Sequence, residues 1–479
     1  MRRCSWVLFA LITPVVSLAR GQAAAYDIVI ANGRVMDPET NLDAVRFVGI
    51  RAGKIAAISA APLNGKTTID AKGLVVAPGF IDLHAHGQDD ENYRVFALDG
   101  VTTALELEVG TADVPGFYAS REGKALINYG ASSSHVRARM AVMRDPSQGL
   151  LPTGAGGHQV ATDAQIAEID RLIDAGLAAG GLGVGMGLQY TPAASKYEVL
   201  ETFRAAAKYH APVFVHVRGF AAQDPGSSVE SFMEVIAAAA ISGAPLHIVH
   251  LNSMSLASTP KTLAIVKDAR AHGLDVTTEA YPYIAGMTEI GSALLDQYVD
   301  GPDSNFSKIM LVSTGERLTR ATFTAARKAN GTVILFLNTP EMEAMAITSP
   351  LTMIASDGLL QNGKGHPRTA GTEARMLAHY VRETKQLTLM DALRKMTIMP
   401  AQRLEKLAPV FLNKGRIKVG ADADITVFDP ATVKDRSTYQ QPALTSVGFR
   451  YVLVNGVPAV MDGVIKDKTF PGKGQRANR

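Results

Sequence analysis

Between residues 77 and 357 the chain repeats one arrangement: a short run of apolar, β-branched or glycine-rich residues, then a stretch with helical periodicity. Such runs fall near 77–84, 101–109, 134–140, 182–189, 212–217, 246–250, 274–278 and 351–357. Strands that alternate with helices pair in parallel, because a parallel pair needs a crossover connection. Eight such units predict an α/β chain folded as a (β/α)8 TIM-type barrel. In that fold the chemistry sits at the carboxyl ends of the strands. Ligand-type side chains at those ends are therefore site candidates, and the same residues at strand starts or on helices are not.

The flanks read differently. Residues 26–76 and 413–465 carry short apolar alternations broken by Asn32-Gly33, Ala52-Gly53 and Asn455-Gly456, the punctuation of hairpins. They predict one small β-sandwich built from both chain ends, leaving 77–412 to the barrel. Residues 286–349 are too long for an ordinary barrel loop and fall at the catalytic end, where a lid over the pocket is expected.

The first 25 residues have the layout of a secretory signal peptide: Arg2 and Arg3, an apolar run from Trp6 to Val16, then the small-residue stretch SLARGQAAA. The apolar run is shorter than the ~20 residues that span a bilayer, so the expectation is a secreted or periplasmic protein with no permanent membrane span. The single cysteine, Cys4, leaves with this leader, so any metal must be held by histidines and carboxylates. Loss of Arg2, Arg3 and Arg20 takes the formal net charge from +3 to zero, and nothing basic remains to suggest nucleic acid.

The leading candidates lie in PGFIDLHAHG, where His84 and His86 end the first predicted strand. Residues two apart on a strand point to one side, so both imidazoles can reach one metal ion. An isolated HxH arises often by chance; its place after an apolar strand gives it weight. His216 ends VFVHVRG, His250 ends LHIVHLN and Asp357 ends LTMIASDG. A lone buried histidine is usually a core residue bonded to backbone, but that reading does not account for the set. His247, three residues before His250, faces the other way and reads as structural. In TTALELEVG, Glu106 and Glu108 share a face, and carboxylates inside an apolar barrel are costly unless paired or metal-bound. Glu108, nearer the strand end, is the candidate bridge between two metals; Glu106 would orient a ligand from behind or pair with a cation deeper in the barrel.

The stretches VVAPGFIDLHAHG, DGVTTALELEVG, GLGVGMGLQYTP, VFVHVRG, LHIVHLN, GLDVTTEAYPY, TMIASDG, GHPRTAGT, MTIMPAQRL and GRIKVGADADITVFDP occur in that order from about Tyr26 to Gly463. Together they resemble the amidohydrolase superfamily and, within it, the D-aminoacylase group of N-acyl-D-amino-acid deacylases. The resemblance implies a barrel with a β-sandwich, one or two Zn2+ ions and hydrolysis by metal-bound water, whose pKa zinc lowers to about 7. It assigns His84 and His86 to one metal, His216 and His250 to the other, proton transfer to Asp357, and part of the hold on a substrate carboxylate to Tyr190.

The chain also departs from the group. GLGVGMGLQY lacks the lysine that commonly bridges the metals, no cysteine follows GVTT, and Asn252 stands where a lysine is usual. Arg218 or Arg368 would then supply the missing positive charge, and His366 would either hydrogen-bond substrate or cap a helix starting near Thr372. The activity implied is a zinc-dependent amide hydrolase acting on a small molecule, either an N-acyl-D-amino acid or a dipeptide ending in a D-residue. The alternatives are a dipeptidase or cyclic-amide hydrolase for L-substrates, or a catalytically silent periplasmic binding protein; an oligomer is open.

Overall fold

The computed structural model describes residues 25–477, so all of the leader except Ala25 lies outside the described residues. Eight parallel strands form the barrel: β1 (Phe80–Asp82), β2 (Val101–Thr111), β3 (Asn128–Ser134), β4 (Val184–Gly187), β5 (Val213–His216), β6 (Leu246–Ile248), β7 (Val276–Ala280) and β8 (Thr352–Ile354). They pair in chain order from β1 to β8, and a parallel bridge between Ala85 and Gly358 brings the first and last together. Almost every residue of these strands is buried, which is why most read in the sequence as unbroken apolar runs.

The third strand corrects the sequence reading. It occupies 128–134, not 134–140, and His135–Val142 is a helix capped by Ser134, whose side chain accepts from the Arg137 N–H. The helical HVRARMAV mimics strand alternation, while the real strand, NYGASSS, is small and polar. Its hydroxyls are satisfied inside: Ser132 donates to the Leu107 carbonyl (2.8 Å) and Ser133 to that of Ile173 (3.1 Å).

Both chain ends build one continuous nine-stranded sheet. Its strand Tyr26–Asp37 pairs with Leu42–Arg51 along one edge, and on the other with Gly65–Asp70 and then Val75–Pro78. This branching lets both chain ends share a core that includes Val35, Val48, Ile69, Val76, Ile425 and Leu453. The sheet runs into the barrel through Gly79, whose N–H donates to Asp424 O and where a Cβ would lie 2.2 Å from Thr102. Only glycine permits that approach, and it sets the start of β1, hence the position of His84 and His86.

Between β7 and β8 the chain forms a three-stranded antiparallel sheet, Ala285–Glu289, Ile309–Leu311 and Thr332–Phe336, with the helices Arg320–Lys328 and Pro340–Thr348. Leu294, Phe323 and Leu335 of this insertion pack with Val109, Val136 and Tyr190 of the barrel, so it roofs the carboxyl ends of the strands through a shared apolar core. No helix among the described residues is long and apolar enough to cross a membrane.

Candidate metal centre

The structure brings His84, His86, Glu108, His216, His250 and Asp357 together from the ends of five barrel strands. Glu108 lies at the centre. One of its carboxylate oxygens is 3.1 Å from His84 Nε2 and 3.2 Å from His86 Nε2. The other is 2.8 Å from His216 Nδ1 and 3.1 Å from His250 Nε2. Asp357 closes the first pair's side, with Oδ1 3.5 Å from His84 Nε2 and 3.3 Å from His86 Nε2. Two sets of ligand atoms lie within 4.8 Å of one another: His84, Glu108 and His250, and His84, His86 and Asp357. His250 and Asp357 both sit at positive φ, +31° and +52°, backbone strain of the kind that the surrounding fold sustains at functional positions.

Each ring turns one nitrogen inward and anchors the other. His84 Nδ1 donates to Glu279 (2.6 Å), His86 Nδ1 to Glu106 (2.8 Å), His216 Nε2 to Gln189 Oε1 (2.8 Å) and His250 Nδ1 to Ser253 (3.1 Å). With the outer nitrogen donating, the inner one presents its lone pair, the tautomer a metal ligand requires. Glu106 is itself held by the N–H groups of Val109 and Gly110, so it orients His86 from behind while Glu108 takes the central place. The donor set is nitrogen and oxygen with an open side, which fits zinc chemistry.

Burial disfavours charge on His84 and His86, but the surrounding carboxylates outweigh it and hold both imidazoles well above the ordinary histidine pKa. Asp357, Glu108 and Glu279 act on His84, and Glu106, Asp357 and Glu108 on His86. Burial likewise opposes the charge of Glu108, and His84, His216 and His250 overcome it, keeping this carboxylate well below its usual range. His216 goes the other way, pushed down to about 4 by burial and by His250. Raised pKa values mean that His84 and His86 carry protons near neutrality until a cation displaces them. A divalent metal added to metal-free protein at pH 7 in weak buffer is therefore expected to acidify the solution, and to bind more weakly as pH falls. Uptake with no proton release, read with a pH indicator, would show that these nitrogens do not receive the metal.

The candidates for substrate contact separate. Arg218 corrects the sequence reading, because its guanidinium is spent on Glu234 (2.7 Å) and on the carbonyls of Pro192 and Ala194, away from the centre. Arg368 is buried at the centre with Nη2 2.8 Å from Asp357 Oδ1, while Nε and Nη1 have no partner. His366 is wholly buried, and its Nδ1 accepts from the Arg368 N–H at the start of the helix Arg368–Arg375, four residues earlier than expected. Tyr190 stacks beside His216, with ring centroids 4.5 Å apart. Asn252 binds the backbone of Tyr281 from a fully buried position and does not replace the absent lysine.

Glu279 and Gln189 were given no role in the sequence reading. Glu279 lies next to last in the strand VTTEA and Gln189 closes the predicted run 182–189, so a position near a strand end was a usable signal for both.

Residues 75–459 match the amidohydrolase family. An N-acyl-D-glutamate deacylase of Alcaligenes xylosoxydans xylosoxydans is 33% identical over 90% of this chain and 93% of its own length. A D-aminoacylase of the same organism is 27% identical over 95% and 98%. Among solved structures, an N-acyl-D-glutamate deacylase from Bordetella bronchiseptica, complexed with zinc and a phosphonate inhibitor, aligns with a TM-score of 0.80 at 27% identity, covering 94% of this chain and 100% of that one. The likeness thus runs through the β domain, the barrel and its roof alike, and this chain belongs to the amidohydrolase family.

Proposed function

We propose that this chain is an exported, zinc-dependent amide hydrolase that deacylates N-acyl-D-amino acids or cleaves dipeptides ending in a D-residue. The observation that carries the reading is Glu108 set between two pairs of inward-facing imidazoles, with Asp357 and a half-free Arg368 at one side. His84, His86, Glu108 and Asp357 would hold one zinc, and Glu108, His216 and His250 a second. Zinc bound there supplies Lewis-acid polarisation of the amide and a lowered pKa for water. Export is supported by the leader's charged start, apolar run and small-residue end.

Asp357 is the proton carrier. Burial opposes its charge, but Arg368 and His84 hold its carboxyl below the usual range, so it enters the reaction as a base. It takes a proton from water and returns it to the leaving amine, which is a poor leaving group without it. Arg368 offers Nε and Nη1 as buried donors without a partner, each able to take an anionic oxygen of the substrate, while Nη2 holds Asp357. Arg368→Met is expected to lower kcat/KM by about 10–100-fold, the value of hydrogen bonds to a charged group, with Arg368→Lys restoring only part. An unchanged kcat/KM in steady-state assays would remove Arg368 from the site.

Two chambers meet at the centre. One is walled by Phe220, Met254, Leu256, Ile284, Leu335 and Leu337, and the other by Arg137, Gln148, Glu289, Asn330, Gln361 and Arg368. Tyr190, Met287, Thr288 and Asp357 line both. A charged side chain in the first chamber would be buried without a partner. N-acetyl-D-leucine is therefore expected to exceed N-acetyl-D-glutamate in kcat/KM, by at least about tenfold on the cost of an unpaired buried charge. The testing panel adds N-acyl-L-amino acids, dipeptides and hydantoins, and exclusive turnover of L-compounds or hydantoins would overturn the proposal.

A further inference from the structure

A cavity of about 510 Å³ opens at the opposite end of the barrel, where β5 to β8 begin and the helix Ile398–Leu404 crosses beneath them. Its wall carries three cations, Arg270, Arg403 and Lys406, against one carboxylate, Asp275. Lys406 is exposed and reaches Asp275 at 3.4 Å; Arg270 has no ion-pair partner among the described residues. Arg403 is different, because its side chain is only 3% exposed. Nη1 donates to Asp275 (2.7 Å) and to Thr277 Oγ1 (3.4 Å), Nε is buried with no partner, and Nη2 makes no hydrogen bond. The Nε–Nη2 edge of a guanidinium is the fork that takes two oxygens of a carboxylate or phosphate. Burial, with a smaller contribution from Arg270, draws the Arg403 pKa below its ordinary value despite Asp275.

The cavity is joined to the metal centre by an unbroken polar line. Arg403 donates to Thr277, whose hydroxyl meets His247 Nδ1 at 2.7 Å. His247 Nε2 donates to Glu279 (3.0 Å), which accepts at its other oxygen from His84 Nδ1 (2.6 Å). His247, Glu279 and His84 are all buried, so nothing in water competes for these bonds.

We infer that this cavity binds a small oxyanion on Arg403, Arg270 and Lys406, and that its occupation is transmitted through Thr277, His247 and Glu279 to His84. The anion turns the guanidinium away from Thr277, and the hold of Glu279 on His84 changes with it; such outer partners set metal affinity. The transmitted effect rests on the metal-centre reading, whereas the binding does not. Inorganic phosphate or a carboxylate released by hydrolysis would both satisfy this chemistry.

The test is calorimetric titration of the zinc-loaded protein with inorganic phosphate and, separately, with acetate. Binding is expected with at least one of them, and which one identifies the source. The exposed Arg270→Ala and the buried Arg403→Gln are each expected to weaken it by about tenfold or more. Zinc affinity, measured against a chromophoric chelator, is expected to shift when the anion saturates the parent protein and to stay constant in Thr277→Val. No binding, binding indifferent to both arginines, or a zinc affinity that the anion leaves unchanged would each overturn the inference. None of these readouts requires turnover, so they stand apart from any failure of the substrate reading.

Discussion

Asp357→Asn is expected to yield a folded, zinc-containing protein whose kcat is lower by about 10²–10⁴-fold, the usual range for a lost general acid–base. Asparagine preserves the volume and one oxygen near His84 and His86, but it cannot accept the proton of water or deliver one to the amine. Zinc content should persist because Glu108 still meets His84 and His86 on one side and His216 and His250 on the other without Asp357. The variant also leaves Arg368 buried beside a neutral amide, a situation that costs about 3–5 kcal/mol when one partner of a buried pair is removed. A lowered melting temperature should therefore accompany the lost rate, and Arg368→Met in the same background should recover stability without recovering activity. Zinc analysis, thermal melts and amine release measured on one preparation check all three. A kcat within about threefold of the parent would take Asp357 out of the chemistry. A parent inactive on the whole panel, yet binding its substrates with Asp357 intact, would favour the silent binding protein.

The second large effect is expected at Glu108. Its two oxygens serve both pairs of imidazoles, and no other carboxylate among the described residues touches His216 or His250. Glu108→Gln replaces one oxygen with an amide nitrogen that cannot ligate and leaves the other as a neutral carbonyl, so one metal position loses its ligand and the other keeps a weaker one. Zinc per chain should fall steeply and activity with it. Glu106→Gln reaches the candidate ligands only through the outer nitrogen of His86, and there the expected loss is the roughly 10–100-fold in metal affinity typical of an outer partner. Metal content after dialysis against a weak chelator ranks the two. The reverse order would move the bridge to Glu106.

How much of this was legible along the chain depends on the residue. His84, His86, His216, His250 and Asp357 each follow an apolar run, and burial in a parallel sheet is what makes such runs visible, so the position of each at a strand end could be read directly. β3 escaped because NYGASSS satisfies its polarity by hydrogen bonds to Leu107 and Ile173, partners that no local periodicity reveals. Arg218 misled because Glu234 lies on the helix Ser228–Ser242, where the fold turns it onto the arginine. Arg368, reached by the same reasoning, keeps two nitrogens free.

The amino-acid order alone determined the barrel, the two-ended β domain, and the kind and chain positions of the candidate metal ligands, because each rests on short-range patterns of burial and turn chemistry. Only the tertiary structure decided which carboxylate lies between the imidazoles, which nitrogen each ring turns inward, which arginine stays unspent, and that a polar line leads from the metal centre to the far mouth of the barrel. Those outcomes depend on hydrogen bonds and charge pairs that act over a few ångströms between residues up to 195 positions apart. Such partners are chosen by how the whole chain packs.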